Sequence, residues 1–99
     1  MSESVQENHD SSELTEIRKQ IANIDTELAR LVCRRLDLAK IAGEMKHVYG
    51  IPIRDSAVEK QNLERVLKMF KDLDQKPEAA EAIWKEIIKW SLDVQTEWF

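Results

Sequence analysis

Four polar side chains interrupt apolar helical stripes in this 99-residue chain, and their types suit the binding of a small anion. Arg35 stands in a heptad run that begins at Leu14, and Lys46 follows about three helical turns later on nearly the same face. Ser91 and Gln95 are four residues apart and are therefore neighbours on a later helix. Since burial of an unpaired guanidinium is energetically unfavourable, Arg35 must either pair with a carboxylate or bind an anion. Cations beside neutral hydrogen-bonding groups indicate a candidate anion site.

Each of these side chains also has an ordinary structural interpretation. Arg35 could pair with Glu59 or extend its charged end to solvent. Ser91 and Gln95 could hydrogen-bond between helices. The small residues between Arg35 and Lys46 leave room for a ligand or simply allow close helix packing: Ala39, Ala42 and Gly43.

Three further charged residues are candidates for the same site. Arg18 lies on another stripe, about 25 Å from Arg35 along one helix, so only an antiparallel partner helix would bring it to the same ligand. Within a single chain it is expected to pair with a nearby glutamate at the surface. Glu59 closes the capping-box pattern "SAVE", and Asp55 suits a helix cap. Neither role excludes contact with a ligand.

The elements that carry these residues are predicted to be three helices. Only two Gly and two Pro are present, and the periodic apolar positions favour an all-α fold. We expect helices from about residue 13 to 48, from Ser56 to Leu73, and from near Pro77 to Trp98. Residues 1–12 are predicted to be a flexible lead to a single domain at 13–99.

The predicted first helix is too long for its own chain to cover. It would extend about 50 Å, whereas a compact domain of this size has a radius of gyration near 13 Å. Its remaining apolar surface therefore needs a second copy. We expect an intertwined homodimer in which the first helices pack along each other.

Composition excludes several other classes of function. A formal charge of -4 and a pI near 5.2 argue against nucleic acid or an anionic membrane as the main partner. No secretory signal or membrane-spanning run is seen, and His9 and His47 lack metal-ligand spacing. The lone Cys33 is expected to pack rather than react, which suits a cytoplasmic protein.

The segments "IRKQIANIDTELARLVCRRLDLAKIAGEMK", "IPIRD" and "IIKWSLDVQ" together resemble the all-helical class of chorismate mutases. The resemblance covers nearly everything from Leu14 to Trp98, and the order and spacing of the motifs make it specific. It implies a domain-swapped dimer of three-helix chains that converts chorismate to prephenate in phenylalanine and tyrosine synthesis. It also implies no cofactor, because the rearrangement is one pericyclic step.

The resemblance further implies roles for individual residues. Arg18 would be donated to the partner's site and would bind the side-chain carboxylate of chorismate together with Arg35. Lys46 and Gln95 would hydrogen-bond the ether oxygen of the breaking bond. The remaining implied contacts are those of Asp55 and Glu59 with the ring hydroxyl end and of Ser91 with the ring carboxylate.

One position departs from the family pattern. Many relatives have arginine immediately before the glutamate of the second helix, whereas this chain has Val58 in "DSAVE". Arg54 is the nearest candidate to replace that cation. Two rival functions remain: an isochorismate-pyruvate lyase, and a helical dimerisation module in which the arginines pair with acidic residues and nothing binds.

Overall fold

A computed structural model of the chain describes residues 2–97, with side chains from residue 11 onward. It contains three helices, α1 (Ser2–Tyr49), α2 (Ser56–Asp72) and α3 (Pro77–Thr96), and no strand within residues 2–97. The predicted all-α fold of three helices with a long first helix is therefore confirmed. Trp98, predicted to end the third stripe, lies outside the described residues.

The start of α1 differs from the prediction. The helix begins at Ser2, whereas the sequence predicted a start near residue 13, since Asp10, Ser11 or Ser12 could cap a helix there. Residues 2–12 contain neither Gly nor Pro, so no residue there breaks the helix. Thr15 Oγ1 donates a hydrogen bond to the carbonyl oxygen of Ser11 at 2.6 Å, which is a contact within a continuing helix. The flexible lead over residues 1–12 stays a prediction.

The end of α1 matches the prediction and fixes the position of Lys46. Gly50 has a φ of 67°, in the left-handed region that terminates helices. The Ile51 N–H donates to the carbonyl oxygen of Lys46 at 2.8 Å, which closes the final turn. Lys46 is thus held in the last turn of α1, next to the loop that leads to α2.

Helices α2 and α3 pack against each other. Val66 of α2 and Ala80 and Val94 of α3 are buried. The rings of Phe70 and Trp84 meet edge to face, with centroids 5.6 Å apart. This packing holds Ser91 and Gln95, both buried, on the inner side of α3.

The chain divides into two compact units, residues 1–33 and residues 34–99. In the first unit, six large apolar side chains of α1 are each about half exposed: Leu14, Ile17, Ile21, Ile24, Leu28 and Leu31. Within residues 2–97, no helix is both long and apolar enough to cross a membrane.

In the second unit, α1 presents two different faces. Leu36 and Gly43 are buried, with Ala39 half-buried between them. The predicted heptad positions Leu38 and Met45 are instead exposed, at 58% and 54%. Within the second unit, Leu38 and Met45 of the heptad run therefore do not lie on the packed face of α1.

Candidate functional site

A cavity of about 110 Å³ lies in the second unit, and six of the seven predicted site residues line it. α1 contributes Arg35 and Lys46, and α3 contributes Ser91 and Gln95. The complete lining is Arg35, Lys46, Ile53, Asp55, Val58, Glu59, Asn62, Ile88, Ser91, Leu92 and Gln95. Residues predicted from separate stripes are thus brought together in one place.

Arg35 is half-buried and has no carboxylate partner in the described part of the chain. Its guanidinium Nη1 donates a hydrogen bond to Ser91 Oγ, and Ser91 Oγ in turn donates to the carbonyl oxygen of Ile87 at 2.9 Å. The alternative that Arg35 pairs with Glu59 is not observed. A guanidinium has five N–H donors, so most of the donors of Arg35 stay available for a ligand.

The electrostatic surroundings of Arg35 favour an anion. Burial lowers the pKa of its guanidinium, and the positive charge of Arg65 lowers that pKa further. Both effects disfavour the charged form, and a negative charge placed beside Arg35 would offset them. The positive charge of Arg35 is therefore not paired with any carboxylate of the described residues.

Lys46 is half-buried and is held by two neutral oxygens. Its Nζ donates to the carbonyl oxygen of Ile53 at 2.7 Å and to Gln95 Oε1 at 2.8 Å. Gln95 Nε2 donates to the carbonyl oxygen of Ser91 at 3.1 Å. The amide nitrogen of Gln95 has a second N–H, and Lys46 has a third, so both keep a donor for a ligand.

Gly43 permits the close approach of α1 to α3 at this site. A Cβ at position 43 would lie 3.0 Å from the Cα, Cβ and Cγ atoms of Gln95. An alanine there would require Gln95 to move away from Lys46. The sequence left open whether Gly43 makes room for a ligand or allows close helix packing. In the structure it allows close packing, and that packing positions Gln95.

Asp55 and Glu59, the two acidic residues of the site, contact different local partners. The partner of Glu59 is not the one that the sequence suggested. Asp55 is the N-cap of α2, and its Oδ1 accepts from the N–H groups of Ala57 and Val58 at 3.1 and 3.2 Å. The capping-box interpretation of Glu59 is wrong, because the N-cap is Asp55 rather than Ser56, and Glu59 is four residues after it instead of three. Glu59 Oε2 instead accepts from Arg54 Nε at 3.4 Å.

Arg54 does not line this cavity, but it lines a neighbouring hollow together with Val58, so its replacement of the cation missing at Val58 stays a prediction. Its side chain is 74% exposed, whereas that of Glu59 is 21% exposed. Val58 itself lines the cavity with an apolar side chain. A larger hollow of about 470 Å³ also contacts Lys46, Asp55 and Val58. The wall of the cavity formed by α2 thus has no cation of its own.

Arg18 is the predicted site residue that the structure does not place in the cavity. It belongs to the first unit, where it is exposed on α1. Its donation to a partner's site stays a prediction.

Sequence analysis missed Asn62. It lines the cavity from α2, one turn after Glu59 and two turns after Asp55. Helical spacing could have indicated it, because Asn62 is three residues after Glu59 and seven after Asp55 and so shares a face of α2 with them. No group of three or more potential metal-ligating side chains occurs where side chains are described.

Comparison with known proteins gives one family and several relatives. Residues 17–96 match the model of the family described as chorismate mutase type II. The chain is 42% identical over 59 residues to a chorismate mutase of Methanocaldococcus jannaschii, which covers 60% of each protein. It is 36% identical to a bifunctional chorismate mutase/prephenate dehydratase of Aquifex aeolicus, over 84% of this chain and 24% of that one. A T-protein of Enterobacter agglomerans is 32% identical, over 79% and 21%. The chain thus spans less than two thirds of each relative.

Proposed function

Because the chain belongs to the chorismate mutase type II family, we propose that it converts chorismate to prephenate. One observation carries the proposal. Arg35 and Lys46 line the same small cavity, and neither forms an ion pair with a carboxylate in the described part of the chain. Half-buried cations without counterions suit a substrate that carries two carboxylates.

The proposed reaction is an intramolecular Claisen rearrangement. The ether C–O bond of the enolpyruvyl group breaks while a new C–C bond forms to the ring, and no proton or other group is transferred. The protein therefore has to hold a flexible molecule in its reactive conformation and stabilise the charge that develops at the ether oxygen.

The geometry supports a division of roles among the cavity residues. Arg35, positioned by Ser91, would bind a carboxylate. Lys46 and the second N–H of Gln95 would both donate to the ether oxygen, since Lys46 Nζ lies 2.8 Å from Gln95 Oε1. Asp55 and Glu59 would contact the hydroxyl end of the ring from α2.

A direct assay tests the proposal. Loss of chorismate is followed by absorbance at neutral pH without added metal or cofactor, and the product is identified by chromatography. Formation of prephenate is the expected result. Pyruvate release from isochorismate, with chorismate left unchanged, would instead make the protein a lyase, and no reaction with either substrate would leave the helical dimerisation module.

We also propose that the protein acts as an intertwined homodimer. The six half-exposed apolar side chains of α1 between Leu14 and Leu31 form a stripe at helical spacing. Such a contiguous apolar face is unusual on a monomer and is typical of a protein interface. Arg18 stands beside that stripe, so pairing of first helices would carry it toward the partner's site. The cytoplasmic location and the role in phenylalanine and tyrosine synthesis stay predictions.

Mixing two inactive variants tests the donation of Arg18. Arg18→Ala and Arg35→Ala are each expected to be poorly active, and their equimolar mixture, unfolded and refolded together, is expected to recover roughly one quarter of the wild-type activity. Random pairing makes half of the dimers hybrid, and each hybrid has one site with both arginines. If Arg18 acted within its own chain, both sites of the hybrid would lack an arginine and no activity would return.

Gln95→Glu is expected to move the activity toward acid. A free glutamic acid has a pKa of about 4.3, so at neutral pH the new carboxylate would pair with Lys46 and repel the developing negative charge. Activity should rise as the pH falls and this carboxyl becomes protonated, whereas the neutral amide of the wild type makes its rate independent of that protonation. Profiles of kcat against pH for both proteins give the comparison. Parallel profiles would show that Gln95 does not face the reacting oxygen.

A further inference from the structure

Asn62 has no assigned role although it lies in the wall of the cavity. Its side chain is half-buried on α2 and lines the cavity together with Arg35, Glu59 and Ser91. In the described part of the chain its amide has no hydrogen-bond partner, and because no buried polar side-chain atom lacks a partner there, the amide is accessible from outside the protein. A partly buried amide without a protein partner is completed by water or by a ligand.

The other α2 side chains in this wall do not offer a free donor. Asp55 is occupied as the helix cap, and Val58 is apolar. Glu59 carries a negative charge and contacts Arg54. Asn62, with two N–H donors, is therefore the group on α2 that suits an anion in this cavity.

Asn62 on α2 and Arg35 on α1 line the same cavity. Asp55, at the start of α2, shares the neighbouring hollow with Lys46. The positive charge of Arg65, one turn after Asn62, lowers the pKa of Arg35 in addition to the larger effect of burial. Asn62 precedes Arg65 by three residues and so projects from the same side of α2. Its amide thus lines the cavity that Arg35 also lines, where a carboxylate bound by Arg35 can accept from it.

We propose that Asn62 donates its amide N–H to the substrate carboxylate that Arg35 binds. Asn62 thus provides a neutral donor from α2, the helix on which Val58 provides no cation. This inference rests on the proposed chorismate mutase function. Asn62 is then a binding residue. Since the carboxylate keeps its charge throughout the rearrangement, the contact acts on the affinity for substrate more than on the rate of the chemical step.

The test compares Asn62→Ala and Asn62→Asp with Gln61→Ala, a control that removes an exposed amide from the neighbouring position of α2. KM and kcat for chorismate and the melting temperature are measured for each. Asn62→Ala is expected to raise KM about tenfold with kcat little changed, as for a lost hydrogen bond to a charged group. Asn62→Asp keeps the shape but replaces the donor with a negative charge, so its KM is expected to rise further, by about a hundredfold. Gln61→Ala should behave as wild type.

Several results would overturn the inference. An unchanged KM in Asn62→Ala would show that the amide does not contact the substrate, and a lower melting temperature with unchanged KM would make its role structural. A KM for Asn62→Asp at or below that of Asn62→Ala would mean that position 62 accepts from a hydroxyl group. An inactive wild type in the same assay would instead refute the proposed function, and the inference with it.

Discussion

Replacing Arg35 with alanine is expected to lower kcat/KM for chorismate by at least about 30-fold, which corresponds to about 2 kcal/mol of transition-state stabilisation. Most of the loss is expected in KM, because the carboxylate that Arg35 binds has the same charge in the substrate and in the transition state. Steady-state kinetics of the purified variant measure both parameters.

The fold is expected to tolerate Arg35→Ala. Ser91 Oγ keeps its hydrogen bond to the carbonyl oxygen of Ile87 at 2.9 Å, so the hydroxyl proton is not left without an acceptor. The pKa of Arg35 is lowered in the folded chain, first by burial and then by Arg65, so the positive charge is less favourable there than in the unfolded chain. The charge therefore does not favour folding at neutral pH.

Arg34→Ala provides the matched control for Arg35→Ala. Arg34 is the adjacent arginine on α1 and is exposed, so the same truncation there should leave kinetics and melting temperature close to wild type. Unfolding or loss of the dimer in Arg35→Ala, with Arg34→Ala intact, would support the helical dimerisation module instead. Unchanged kinetics in both variants would remove Arg35 from the site.

Helical periodicity predicted much of the fold and most of the residues that line the candidate site. The ends of α1 and α2 and the start of α3 follow from local residues such as Gly50 and Pro77, whose backbone preferences act without tertiary context. The polar residues on apolar stripes, Arg35, Ser91 and Gln95, were found because burial of such groups requires an explanation. The spacing of residues along one helix was sufficient to predict these three residues.

The parts that sequence analysis did not predict depend on competition between neighbouring residues. Both Asp55 and Ser56 can cap a helix, and only the backbone conformation at Asp55 decides that it does so. Glu59 therefore has no capping role and pairs with Arg54 instead. Asn62 was not predicted, because a side-chain amide on a helix is common at the protein surface. Its partial burial depends on how α2 lies beside the cavity.

Replacing Lys46 with alanine is expected to lower kcat by about 100-fold to 1,000-fold, the effect of removing a donor aimed at charge that develops in the transition state. The ether oxygen gains negative charge only as the C–O bond breaks, so the contact with Lys46 strengthens during the reaction. KM is expected to change less than kcat, which is the opposite of the pattern expected for Arg35→Ala. Single-turnover and steady-state rates with chorismate give the comparison.

Lys40→Ala is the control for Lys46→Ala, because Lys40 is an exposed lysine on the same helix. Lys46→Ala, unlike Lys40→Ala, is expected to lower the free energy of unfolding by about 1 kcal/mol. The reason is that Lys46 Nζ donates to the carbonyl oxygen of Ile53 at 2.7 Å and so holds the loop before α2. Lys46→Arg separates this structural role from the chemical one: it keeps the charge and a donor for Ile53, but its larger planar head should not fit between Gln95 and the substrate. A variant with restored stability and low kcat is therefore expected. Full kcat in Lys46→Ala would mean that Gln95 alone stabilises the ether oxygen.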